Sequence, residues 1–245
     1  MVLVIVRELV PYGRQLLYPF TLFATWVHEM GHGITGLLVG GTFTKLEIFL
    51  NASGLAYGAV EPGWPEGLRA AGGLIAPPLL GALILASARG PKRATIVLWV
   101  IAAVVAISVP VWVRSATGFI ALPLVALVIA LVAFKADPDL RQIAANLLGL
   151  LLATDTITRI DYLFSGSATV QGVERPSDVA IIASAIGGPY LMWGAILAVV
   201  SCALLIVGVK LSWAEPLKLT NPFRRKKPKP AKKESGTGTT ASDEL

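Results

Sequence analysis

The 245-residue sequence has one cysteine, Cys202, and two histidines. A lone thiol excludes a disulfide framework and a thiolate metal site within the chain. Charge is sparse as well: Asp, Glu, Lys and Arg make up 15% of the residues, against about 25% in a soluble domain. Apolar residues make up 55% and mean hydropathy is +0.71. This balance excludes a disordered protein, a coiled coil and most cytosolic enzymes, and points to a multi-span membrane protein. No repeat of fixed period is present, so a transporter built from inverted repeats gains no support. Residues 1–10, MVLVIVRELV, are too short to span a bilayer and are not followed by a small-residue cleavage site, so they read as no signal peptide.

What charge there is lies unevenly. From Arg224 onward, seven basic residues face three acidic ones, so this stretch holds +4 of the net +6. Its Pro, Lys, Gly and Ser composition predicts a disordered tail over 213–245, following a transmembrane domain over 1–212. On a membrane protein such a run reads as a cytoplasmic signal touching anionic lipid rather than as a nucleic-acid site.

A crossing helix needs about 20 mostly apolar residues. Such runs fall near 16–40, 68–88, 94–113, 117–134, 141–163 and 179–209, the last carrying Gly187-Gly188-Pro189 as a natural break. The expected fold class is therefore an all-α polytopic membrane protein of about six transmembrane helices. With the tail inside, Arg7, Arg14, Arg89, Lys92, Arg93, Lys135 and Arg141 also lie inside, which agrees with six crossings and both termini in the cytoplasm of a multi-pass cell-membrane protein. After the first span, in the stretch from Thr42 to Gly58, Lys45 and Glu47 alternate with Leu46 and Ile48 and Asn51-Ala52-Ser53-Gly54 offers a turn, predicting a β-hairpin.

Both histidines fall in one pentapeptide, His28-Glu29-Met30-Gly31-His32. On a helix, residues i and i+4 share a face, so both imidazoles reach one ion while Glu29, one step round, serves as general base on an activated water. Zinc takes neutral imidazole readily and keeps one position for water in a catalytic site. Ionisable side chains at a helix centre cost about 2.5–3.5 kcal/mol each, so three grouped in one span call for a partner, and a divalent cation is the simplest. A third protein ligand must be a carboxylate, because Cys202 sits in an apolar run near the inner end of the last span. Asp155 lies at a depth similar to that of His28 and is favoured on that ground. Asp178 competes, provided the sixth helix starts below the surface; otherwise it is a first-turn carboxylate beside a Ser177 cap. Asp161 reads as interfacial. The glycines Gly33, Gly36, Gly40 and Gly41, and the run Ala70-Ala71-Gly72-Gly73 with Pro77-Pro78 and Gly81, read as close-packing helix faces.

HEMGHGITGLLVGG, the strand-like stretch after it, and AAGGLIAPPLLGALIL together resemble the site-2 protease family of intramembrane zinc metalloproteases, most closely its compact bacterial branch. A later block, PSDVAIIASAIGGPYLMWGA, is similar too, and the likeness covers roughly 16–205. It implies that His28 and His32 are zinc ligands, that Glu29 is the general base, and that the substrates are transmembrane proteins cleaved within or beside the bilayer. The family's third ligand is an aspartate in an Asn-x-x-Pro…Asp-Gly motif. Here Asn146 and Asp155 stand at similar spacing, but Gly149 replaces the proline and Thr156 follows the aspartate, which leaves Asp155 and Asp178 both open. The hairpin offers an edge for strand addition by substrate, an idea that Leu46→Pro would test. Two rival classes remain. A zinc-binding membrane scaffold would have no need of Glu29. A metal transporter would need ionisable residues along a path, which the spans lack.

Overall fold

The computed structural model describes residues 12–213. The opening segment 1–10 and the basic tail beyond Trp213 lie outside the described residues. In chain order the elements are α1 (Gly13–Leu38), β1 (Lys45–Ile48), β2 (Gly54–Tyr57), α2 (Trp64–Ser87), α3 (Pro91–Trp112), α4 (Ala116–Lys135), α5 (Pro138–Thr158), α6 (Ile160–Leu163), β3 (Ser167–Val170), β4 (Val173–Pro176), α7 (Asp178–Ile186) and α8 (Tyr190–Trp213).

Local chemistry sets the helix starts. Proline stands in the first turn of α2, α3 and α5, where its missing N–H costs nothing. Ser115 caps α4 by accepting from Gly118 N, and Ser177 caps α7 by accepting from Ala180 N. The expected break falls at Gly187 (φ 108°) and Gly188 (φ 81°), which Pro189 follows, so the last span divides into α7 and α8. Trp193 Nε1 donates to the Gly187 carbonyl at 2.8 Å and fixes the corner.

Helix α2 is the hub: α1, α5, α7 and α8 all pack on it. Its small residues permit this, since a side chain at Gly72 would strike Thr35 of α1 and one at Gly81 would strike Ala153 of α5. The outer helices are apolar on the outside as well. Ile96, Trp99, Val104 and Ile107 of α3, and Phe119, Leu124 and Leu127 of α4, are exposed, while Leu98, Val105 and Leu122 are buried. That is the distribution of a helix facing lipid, not water. Among the described residues four helices, α2, α3, α4 and α8, are long and apolar enough to cross a membrane. The six expected crossings thus find four on this measure. Helices α1 and α5 span 26 and 21 residues, but they carry the polar residues His28, Glu29, His32, Gln142, Asn146 and Asp155.

Two antiparallel hairpins stand at one end. The first is the hairpin expected within 42–58, and in it Lys45 pairs with Tyr57 and Ile48 with Gly54. Its β1 strand is also bridged to Val113: Arg114 N donates to Leu46 O at 2.9 Å, and Ile48 N donates to Ser115 Oγ at 2.8 Å. The α3–α4 connection therefore sits against this hairpin. The second hairpin, β3–β4, turns at Gln171 (φ 53°) and Gly172 (φ 76°), the two positive φ values of a tight two-residue turn. At the opposite end, Arg141 Nη1 donates to Thr95 Oγ1 at 3.4 Å and joins the α4–α5 connection to the start of α3.

Candidate metal centre

The i,i+4 spacing on α1 brings the imidazoles together, with His28 Nε2 and His32 Nε2 3.0 Å apart. Asp178 meets them from the start of α7: Oδ2 is 3.2 Å from His28 Nε2 and Oδ1 is 3.4 Å from His32 Nε2. One ligand atom from each of His28, His32 and Asp178 lies within 4.8 Å of the others.

The surroundings orient these atoms. His32 Nδ1 lies 2.9 Å from the Arg69 carbonyl, which can only accept, so Nδ1 carries the proton and the neutral ring presents the Nε2 lone pair to the cluster. Gly73 of α2 lies flat on that ring, where a Cβ would collide with it. Tyr162 donates its hydroxyl to Asp178 Oδ2 at 3.0 Å. Ser177 Oγ donates to Ser165 O at 2.5 Å and ties α7 to the segment after α6. Two imidazole lone pairs and a carboxylate, with no lysine or arginine paired to Asp178 among the described residues, form a donor set that fits a catalytic Zn2+.

Glu29 stands beside the set and is 5% exposed. Strand β2 approaches it so closely that a Cβ on Gly54 would lie 2.6 Å from Glu29 Oε1. A cavity of about 440 Å³ opens on His28 and Glu29. Asp155 lines the same cavity but does not join the histidines. Its carboxylate pairs with Arg159 one turn on, with Arg159 Nε 3.2 Å from each oxygen. Depth along the helix had favoured Asp155, yet the aspartate that the fold brings to the histidines is Asp178. Asp178 is the first residue of α7, after the Ser177 cap, and is 7% exposed. Cys202 is exposed on α8, Asp161 is exposed on α6, and neither belongs to the cluster.

The hairpin places its open edge differently from the expectation behind Leu46→Pro. Leu46 is fully buried in β1, between β2 and Val113, so proline there would break the inner strand. The outer edge belongs to β2, beside Glu29, where Ala56 O accepts from Arg69 Nη2 at 2.8 Å. Sequence reasoning missed Arg69, Tyr162 and Gly54. None sits in a spacing that signals chemistry; each matters through what the fold sets beside it.

The pattern of the family described as Peptidase M50B-like matches residues 1–208. No curated protein and no solved structure matches the chain.

Proposed function

The chain belongs to the Peptidase M50B-like family, of the site-2 protease kind, and we propose that it is a zinc-dependent endopeptidase hydrolysing peptide bonds in or near transmembrane segments of membrane proteins, as in regulated intramembrane proteolysis. The observation that carries this reading is the convergence of His28, His32 and Asp178 beside the buried Glu29 at the edge of a cavity. His28 Nε2, His32 Nε2 and the Asp178 carboxylate would hold Zn2+, which when bound polarises a carbonyl and makes water a nucleophile near neutral pH.

The chain's own residues do the rest. Glu29 takes the proton of the attacking water and returns it to the amide nitrogen as the C–N bond breaks, giving a carboxylate and an amine. Arg69, through its carbonyl, keeps His32 in the tautomer that offers Nε2. Tyr162 and Ser177 hold Asp178 in place. Asp155 serves the cavity wall with Arg159 and is not a ligand.

Six crossings, with α1 and α5 among them and both termini in the cytoplasm, complete the reading. The positive charges of Lys92, Arg93, Lys135 and Arg141 at one end, opposite the hairpins, support it. The substrate partner is then a transmembrane protein, and the basic tail faces anionic lipid.

The test is zinc per chain by elemental analysis of detergent-purified protein, together with cleavage of a transmembrane reporter. About one zinc is expected, lost in His32→Ala. Glu29→Gln should keep the zinc and lose cleavage. No zinc above the His32→Ala control would end the metallopeptidase reading, and cleavage unaffected by Glu29→Gln would replace it with a zinc-binding scaffold.

A further inference from the structure

The cavity at Glu29 is one arm of a longer cleft. A second cavity, of about 370 Å³, shares six wall residues with the first: His28, Glu29, Gly54, Tyr162, Ala168 and Val170. The histidine–glutamate pair thus stands at the waist between two arms, with β2 and β3 as facing walls.

The arms differ in charge. The first is lined by Asp155 and Asp161 against Arg159. Because Arg159 is engaged by Asp155, Asp161 is left as the uncompensated charge and the arm is net negative. Apart from the carboxylates of the site itself, the second arm is lined by Arg69 and Arg175 against Glu66, and is net positive. Arg69 forms none of the ion pairs found among the described residues, and its Nε is buried with no hydrogen-bond partner. Arg69 is half-buried, with Nη2 held by Ala56 O and Nε closed off from water, and a carboxylate is the group that the rest of its fork fits best.

We infer that the cleft reads charge order. It takes an extended polypeptide segment with an acidic side chain in the Arg69–Arg175 arm and a basic side chain in the Asp155–Asp161 arm, the waist lying between them. That the bond at the waist is cut rests on the peptidase reading; that the segment is bound in this order does not. Opposite charges at the two ends fix the direction in which the segment lies, while the waist walls Gly54, Ala168 and Val170 are small and set no demand of their own.

The test uses the full chain carrying Glu29→Gln, loaded with zinc, in nanodiscs of zwitterionic lipid, with three fluorescein-labelled peptides read by anisotropy. The peptides share one apolar centre; one has Glu before it and Lys after it, one has the reverse order, and one has Gln at both places. One charged order should bind about two- to fivefold tighter than the Gln peptide and the other more weakly, a gap that shrinks with added salt. Arg175→Glu combined with Asp161→Lys, both exposed positions, should invert the ranking while zinc content is retained. Equal affinities for all three peptides, or a ranking that survives the paired charge reversal, would overturn the inference. If the ranking inverts as expected while wild-type protein cuts none of the peptides, the charge reading stands and the peptidase reading is what fails.

Discussion

His32 is gripped twice, by the Arg69 carbonyl at Nδ1 and by Gly73 against its ring face. Gly73→Ala would push a methyl into the imidazole, and strain of this kind costs about 1–3 kcal/mol. The expected result is zinc affinity lowered about five- to 150-fold with helical content intact, read by chelator competition; unchanged affinity would mean that α2 gives way instead. Tyr162→Phe removes the hydroxyl from Asp178 Oδ2 and should lower zinc affinity by about 10–100-fold, the usual effect of losing an outer partner of a ligand. Asp178→Asn should lose most bound zinc, whereas Asp155→Asn should keep it. His28, Glu29 and His32 were legible because an i,i+4 spacing survives in any helix. Asp178 was legible only as the alternative to Asp155, because counting depth presumes a helix that runs straight from the surface. Here residues 164–177 fold as a turn and hairpin, which lowers the start of α7 onto the histidines.

At the scale of the element, the two hairpins were unequally readable. The first has Lys45 and Glu47 alternating with Leu46 and Ile48 ahead of an Asn-Ala-Ser-Gly turn. The second has four-residue strands around Gln171-Gly172, and glutamine is not a usual residue for positive φ, so no turn signal stood out. The first also carries a surface charge cluster, since Lys45 Nζ and Tyr57 OH each donate to Glu47 at 2.8 Å. The hydrogen bond from Lys45 holds the Glu47 carboxyl below its ordinary 4.5. A carboxyl depressed in the folded state contributes stability above its unfolded value and loses it as pH falls through the folded one. Hydrogen exchange of the β1–β2 amides, compared between wild type and Glu47→Gln at each pH, should show wild-type protection exceeding the variant's at neutral pH. The gap should close as pH drops below 4.5. A gap independent of pH would show that the charge contributes nothing.

For the whole molecule, apolar composition announced the membrane, but it did not distinguish purely apolar helices from long helices that also carry polar side chains. By apolar length only α2, α3, α4 and α8 qualify among the described residues; α1 carries the polar residues of the site, and α5 carries Gln142, Asn146 and the cavity-wall Asp155. The two counts lead to opposite placements. If only four helices crossed, the segment between α1 and α2 and the segment between α5 and α8 would lie on opposite faces of the bilayer. Yet Gly54 of β2 and Val170 of β3 wall the same cavity beside Glu29, which requires both hairpins on one face. Cysteine labelling decides the matter. With the exposed Cys202 first changed to serine, single cysteines replace Lys92, Gly172 or Gly236 and are probed from each side with an impermeant maleimide. Six crossings put Lys92 and Gly236 together on the cytoplasmic face and Gly172 on the other. Four crossings put Lys92 and Gly172 together and Gly236 opposite. Labelling of Gly172→Cys from the same side as Lys92→Cys would therefore remove α5 from the bilayer. It would also break the shared cavity on which the candidate site depends.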